Sequence, residues 1–201
     1  HVVSEVSSQA YKTKRVFGLT FDLGIFLNIS PDHISPIEHE TFEEYFLCKQ
    51  ELLLHSKKMV MNHESDHFEV LENLCQINHI PYLTYGGSAA DYPVIAMDDP
   101  RAFELKSSTD PLAINGDYAL TIFGHFNHEN AAAALLATAW LETPRNHMKE
   151  SLSKCVIPGR MTLFDLPNGA LAFVDFAHNY LSLLSMGQLA KEIRPHGKAI
   201  V

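Results

Sequence analysis

Two helical patterns alternate with two short apolar runs between residues 41 and 85, and that alternation restricts the chain more than any other feature. Over 41–55, Phe42, Tyr45, Phe46, Leu52 and Leu53 recur at spacings of three and four, with Thr41 as the expected cap before Glu43 and Glu44. Met59 to Met61 reads as a short strand, 65–77 as a second helix capped by Ser65 or Asp66, and Ile80 to Tyr85 as a strand stopped by Gly86 and Gly87. Elements alternating in this way bury their apolar faces as layers, so the expected class is α/β with a mostly parallel sheet.

The flanking segments extend that reading. Val2-Val3 looks like a short strand, and the apolar density of 15–29 predicts buried strand up to the turn at Ser30-Pro31-Asp32. From Tyr92 to Phe123 several β-rich runs separated by turn residues predict an antiparallel extension, with a turn at Asn115-Gly116. Helices are expected over 127–141 and from Pro144 to just before Pro158-Gly159. Beyond that pair, Met161 to Leu166 and Leu171 to Phe176 read as a hairpin across Pro167-Asn168-Gly169, followed by a helix over 181–193 and a strand over 199–201. Pro158-Gly159 is therefore the expected boundary between a domain over 1–157 and a second unit over 158–201. Opening on His1 and ending inside an apolar run, the chain reads as a fragment.

Charge excludes one class of partner. Acidic side chains number 24 against 15 basic, and the only basic cluster is Lys12 to Arg15, which argues against nucleic acid. No apolar run approaches the roughly 20 residues that cross a bilayer, and no secretory or transit signal is evident, so no membrane partner is expected. Cys48, Cys75 and Cys155 are odd in number, far apart and set in apolar helical patterns; buried reduced thiols and a cytoplasmic setting follow. His125 and His128 lack the companion ligands of a zinc site, and Gly197-Lys198 lacks the upstream glycines of a P-loop.

Polar strings at predicted element ends are the candidates for chemistry. Glu5-Val6-Ser7-Ser8 places a carboxylate and two hydroxyls after a strand, although Ser7 or Ser8 would equally cap a helix. Asn28 to His33 offers an imidazole in the same kind of place, or simply a turn with an Asp cap. Lys49 shares the apolar face of its helix, where an ammonium must snorkel outward, find an acid or change its charge. One such change is addition of CO2 to the neutral amine, giving a carbamate whose oxygens bind Mg2+. Asn127 and Asn130, in Gly124-His125-Phe126-Asn127-His128-Glu129-Asn130, either cap a helix or hydrogen-bond the edge of a base such as adenine. Arg160 and Asp175 offer a guanidinium for phosphate and a carboxylate for ribose, or a surface ion pair.

Taken in order, EVSS at 5–8, NISPDH at 28–33, the Lys49 helix, GHFNHEN at 124–130, PGRM at 158–161 and VDFAH at 174–178 resemble the Mur ligase family, in the branch that adds the third amino acid to the cell-wall precursor. The resemblance covers nearly the whole chain. It implies most of a central ATPase domain over 1–157, without its P-loop, and the beginning of a Rossmann-like C-terminal domain over 158–201. It further implies a cytoplasmic monomer that uses ATP and Mg2+ to join a diamino acid to UDP-MurNAc-L-Ala-D-Glu through an acyl phosphate.

By the same resemblance Glu5 and His33 are Mg2+ ligands, and Lys49, as a carbamate, is a further one. Lys49 and His33 are then the catalytic pair, Ser7 and Arg15 contact the muramoyl-peptide, and Asn127, Asn130, Arg160 and Asp175 hold the nucleotide. Thr13 stands where relatives often carry a longer polar side chain, and Phe176 replaces a more usual Tyr. SPDHISPIEH and AHNYLS favour lysine over meso-diaminopimelate as the added residue, while the loop that discriminates them lies beyond Val201. Two other readings remain open at this level: a truncated domain without turnover, and a folylpolyglutamate synthetase relative.

Overall fold

The computed structural model describes residues 2–31, 34–178 and 180–198, which place six strands in one sheet and two in another. In chain order the elements are α1 (Ser8–Lys12), β1 (Gly24–Phe26), α2 (Phe42–Leu54), β2 (Met59–Asn62), α3 (Phe68–Ile77), β3 (Tyr82–Gly86) and β4 (Tyr92–Ala96). They continue as β5 (Ala102–Leu105), β6 (Gly116–Ala119), α4 (His125–Trp140), α5 (Arg145–Lys154), β7 (Thr162–Asp165), β8 (Leu171–Val174) and α6 (Tyr180–Ile193). The expected α/β class holds.

In the main sheet the strands lie in sequence order. β1 to β4 pair in parallel and β4 to β6 antiparallel, the predicted extension. Only Tyr85↔Tyr92 and Gly86↔Pro93 link β3 to β4, so the chain runs on past the end of β3 and needs no crossover helix. Thr84 and Asp91 brace this step: the Thr84 N–H and hydroxyl both donate to the Asp91 carboxylate at 2.8 Å, and the Asp91 N–H donates back to the hydroxyl at 2.8 Å.

Both faces of the sheet are covered, which explains why β2 is buried at every position. Side chains alternate along a strand, so Met59 and Met61 meet Tyr45, Phe46 and Leu53 of α2 and Leu71 and Cys75 of α3. Val60 turns the other way, toward the alanines and leucines of α4 and Phe103 and Leu105 of β5. Ala131, Ala132 and Ala133 let α4 approach closely.

Several sequence expectations require correction. Only Gly24–Phe26 of the 15–29 stretch is strand, because Lys14 (φ 56°) and Gly18 (φ 76°) turn the chain and the local N–H groups of Arg15, Phe17 and Leu19 bond to nearby carbonyls. Phe17 is left 85% exposed, and Val2 and Val3 are exposed outside any strand. The link from β5 to β6 is no tight turn at Asn115-Gly116: Asp110 accepts from the N–H groups of Ile114 and Asn115, and the Asn115 amide brackets Ser107, which folds 106–115 into a compact loop. His67 at φ 59°, rather than Ser65 or Asp66, precedes α3 and supplies no side-chain cap. Cys75 is buried, but Cys155 is exposed past the end of α5. The expected strand over 199–201 lies outside the described residues. Among those described, no helix is long and apolar enough to cross a membrane.

Candidate functional site

Parallel strands deliver their C-terminal ends to one edge of the sheet, and polar groups collected there are placed to meet a ligand. The first such group surrounds α1. Ser7 does cap this helix, its Oγ accepting from the Ala10 N–H at 3.2 Å. Next to it Ser8 is buried, with Oγ 2.8 Å from Nε2 of the fully buried His39. Lys12 donates to the Glu38 carbonyl at 2.7 Å and pairs with Glu44 at 2.8 Å. That hydrogen bond from Lys12, and then the Glu40 N–H, hold the Glu44 carboxyl below the usual carboxylate range. These links fasten α1 to the start of α2, so the segment carrying Glu5 and Ser7 is held against the helix that carries Lys49. Arg15, exposed at the far end of α1, is anchored through its backbone N–H to the Ala10 carbonyl at 2.8 Å.

Lys49 is half-buried, with Nζ 5.7 Å from the centre of the Tyr45 ring. Burial lowers the pKa of its ammonium, and the Glu5 carboxylate acts in the opposite direction. Among the described residues no carboxylate forms an ion pair with it. Burial thus disfavours the Lys49 ammonium, and the field of the Glu5 carboxylate partly offsets it. His33, the third expected member, lies outside the described residues.

A second group joins β2, β3 and the first turns of α4. Asn62, buried at the end of β2, accepts from the Glu64 N–H at 2.9 Å and donates to Glu129 of α4 at 3.3 Å. A Cβ on Gly86, at φ 121°, would come 2.7 Å from the Asn62 side-chain oxygen, so glycine is required for this approach. Burial raises the pKa of the Glu129 carboxyl. Asn127 is buried and donates to the Phe123 carbonyl at 2.6 Å, which uses its amide nitrogen inside the fold and leaves the capping reading without support. Asn130, one turn on, is exposed. His128 is 2% exposed; its Nε2 lies 3.1 Å from the Pro100 carbonyl and so carries the proton, while Nδ1 is buried without a partner among the described residues. Burial lowers its pKa, and its ring stacks on Phe103.

The third group lies around the β7–β8 hairpin. Asp175 accepts from the N–H of Met161 at 2.9 Å and of Ala177 at 2.9 Å, and the Arg160 guanidinium lies 5.0 Å from the Phe176 ring. Arg160 and Asp175 are thus gathered in one place, though not as the ion pair that was their plain alternative. Apart from the Arg160 N–H, which donates to the Ile157 carbonyl at 3.0 Å, their hydrogen bonds and ring contacts among the described residues stay within 158–178. The N-terminus of α4 nonetheless faces α6 across a cavity of about 230 Å³ lined by His125, Phe126, Glu129, Ser185 and Gln188.

Sequence reasoning did not single out His39, Asn62 and Glu129, and it read Ser8 only as a hydroxyl after a strand or a helix cap. Asn62 was findable, since it follows a buried strand just as Asn28 does. For the Ser8–His39 contact, between residues 31 apart, no local pattern gives a signal.

Among the described residues no three His, Cys, Asp or Glu side chains converge as a metal site. Of the described donors, Glu5 offers hard carboxylate oxygen of the kind Mg2+ takes, within the electrostatic reach of Lys49.

Comparison with known proteins gives these positions a context. The Mur ligase middle domain matches residues 1–138. UDP-N-acetylmuramoyl-L-alanyl-D-glutamate--L-lysine ligase of Enterococcus faecalis is 43% identical over 205 residues, covering 100% of this chain and 40% of that protein. The UDP-N-acetylmuramyl-tripeptide synthetase of Lactococcus lactis subsp. cremoris is 42% identical over 192 residues, covering 96% and 38%. A solved UDP-N-acetylmuramoyl-L-alanyl-D-glutamate--2,6-diaminopimelate ligase superposes with a TM-score of 0.74 at 26% identity, over 93% of this chain and 39% of that one. The chain spans about two fifths of the length of the curated relatives it matches.

Proposed function

The chain belongs to the Mur ligase family, and from that premise we propose that the full-length protein is a cytoplasmic, monomeric, ATP-dependent ligase that adds L-lysine to UDP-MurNAc-L-Ala-D-Glu. Residues 1–157 form its central domain and 158–201 begin the C-terminal one. Lysine is preferred over meso-diaminopimelate because the relatives at 42–43% identity include one named for lysine, whereas the solved diaminopimelate ligase is 26% identical.

The observation that carries this reading is the inward-facing Lys49. An ammonium there is disfavoured by burial, and a carbamate would replace it with anionic oxygen beside Glu5. Glu5, His33 and that carbamate would hold Mg2+, which neutralises negative charge developing during phosphoryl transfer. Ser7 and Arg15, at the two ends of α1, bind the muramoyl-peptide. Asn130, with the Asn127 side-chain oxygen, orients the base, and the second unit contributes Arg160 and Asp175 to the rest of the nucleotide. Closing of that unit over the sheet edge excludes water, which protects the acyl phosphate until the incoming amine attacks it.

Phosphate release by the full-length protein tests the proposal, with ATP, Mg2+, UDP-MurNAc-L-Ala-D-Glu and either L-lysine or meso-diaminopimelate. Turnover that requires lysine supports it. Turnover with meso-diaminopimelate alone overturns the acceptor assignment, and activity only on a folate substrate overturns the cell-wall reading.

A further inference from the structure

Helix α1 has only five residues, too few to hold a direction by itself, yet Glu5 and Ser7 stand just before it. One buried polar contact joins it to a distant part of the chain. Ser8, 4% exposed, sets its Oγ 2.8 Å from Nε2 of His39, which has no exposed surface. His39 ends a loop that closes on itself: the Ser35 N–H donates to the His39 carbonyl at 2.9 Å, and the Glu38 N–H donates to the Ser35 carbonyl and hydroxyl, each at 3.2 Å. The imidazole Nδ1 lies 3.8 Å from the Glu44 carboxylate near the start of α2. The same ring meets Tyr45 with centres 5.4 Å apart, and the Tyr45 ring in turn lies 5.7 Å from Lys49 Nζ.

Two ties thus fasten α1 to this corner, and they are unequal. Lys12 reaches the Glu38 carbonyl and the Glu44 carboxylate, but the Lys12 and Glu44 side chains are both more than a third exposed, so water competes for the pair. The Ser8–His39 contact is shielded from solvent, and removing the imidazole leaves the Ser8 hydroxyl where water does not replace the lost partner. We propose that His39 is a positioning residue: through Ser8 it sets where Ser7 and Glu5 stand relative to the Lys49 helix, and so sets the affinity for the muramoyl-dipeptide. Its own ring, wholly covered, does not touch that substrate. The proposal rests on the ligase reading above, in which Ser7 binds the peptide.

In the full-length protein the dissociation constant of UDP-MurNAc-L-Ala-D-Glu is measured by calorimetry without ATP. Beside it stand kcat, the KM values for the dipeptide and for ATP, and thermal unfolding. The variants are His39→Gln, His39→Asn, His39→Phe, Ser8→Ala and the double variant of Ser8→Ala with His39→Phe. A Gln amide reaches the place of the imidazole Nε2, whereas an Asn amide reaches only that of Nδ1. In His39→Asn, His39→Phe and Ser8→Ala the dissociation constant and the dipeptide KM are expected to rise about tenfold. The KM for ATP changes little, His39→Gln recovers most of the affinity, and His39→Phe adds nothing once Ser8 is Ala.

A lowered unfolding temperature with the dipeptide affinity unchanged makes His39 a core residue and overturns the proposal. Equal effects of Gln and Asn overturn it too, as do effects at positions 8 and 39 that multiply. Should His39→Phe not fold, Ser8→Ala and the comparison of Gln with Asn decide. Lys12→Gln, at the exposed tie, is expected to change the affinity little; a loss as large as that of Ser8→Ala shows that the exposed tie does the positioning and overturns the role of His39. A wild-type protein that binds no UDP-MurNAc-dipeptide sinks the ligase reading and this role with it, whereas affinity unchanged in the variants alone sinks only the role.

Discussion

The six-stranded sheet and the β7–β8 hairpin with α6 both carry large apolar side chains and bury them to very different degrees. In the sheet unit Tyr92, Phe103, Leu105 and Leu136 are wholly buried between helices and strands. In the hairpin unit Phe164, Val174 and Phe176 are 51%, 49% and 62% exposed, and among the described residues only Met161 and Leu189 are buried. A two-stranded hairpin with a single helix has too few layers to cover its own apolar side chains. The lesson concerns function as much as stability. Lys49 sits on a packed frame that fixes its environment, while Arg160 sits beside a hairpin and one helix whose apolar faces stay uncovered within the residues of this chain.

The largest expected effect tests the packed side. Lys49→Ala in the full-length enzyme should lower kcat by about a thousandfold, through loss of charge stabilisation worth several kcal/mol. Added acetate should restore part of that activity, and activity equal to wild type would remove Lys49 from the mechanism. Phe103→Ala follows, at about 3–5 kcal/mol lost in urea denaturation, set against about 0.5 kcal/mol or less for Phe164→Ala. Equal losses at the two positions would break the comparison. Gly86→Ala should cost about 1–3 kcal/mol, from the left-handed backbone and the contact with Asn62.

The smallest effect is a pH dependence inside the packed unit. Burial lowers the pKa of His128, so the unfolded chain binds a proton here more readily than the folded one. Stability from this group is therefore full above about pH 6.5 and falls as the pH drops below it, by at most about 1.4 kcal/mol per pH unit. Urea denaturation at pH 7.5 and 5.5 measures the loss. His128→Gln, which keeps a donor for the Pro100 carbonyl but does not titrate, should flatten it.

Much of this was legible in the residues. Alternating helix and strand periods over 41–85 predicted the parallel sheet, Thr41 was placed correctly as the cap of α2, and the apolar face of that helix already contained Lys49. Apolar density misled at 15–29, since density alone does not say whether the backbone is free to extend, and Lys14 and Gly18 turn it instead. Cys155 was misplaced for a related reason: an apolar neighbourhood in sequence does not guarantee a covering layer in space.

By itself the sequence determined the α/β class, the alternation of elements from α2 to β3 and the place of Lys49 on its helix. All of these are local, written in side-chain period, turn residues and the reach of one helix face. Only the tertiary structure decided that Asn62 meets Glu129, 67 residues away, that Ser8 meets a buried His39, and that Asp175 serves the backbone of Met161. Such pairs arise when strand ends and helix starts are brought together by burial elsewhere. Their hydrogen bonds are satisfied by partners that no periodicity along the chain can point to.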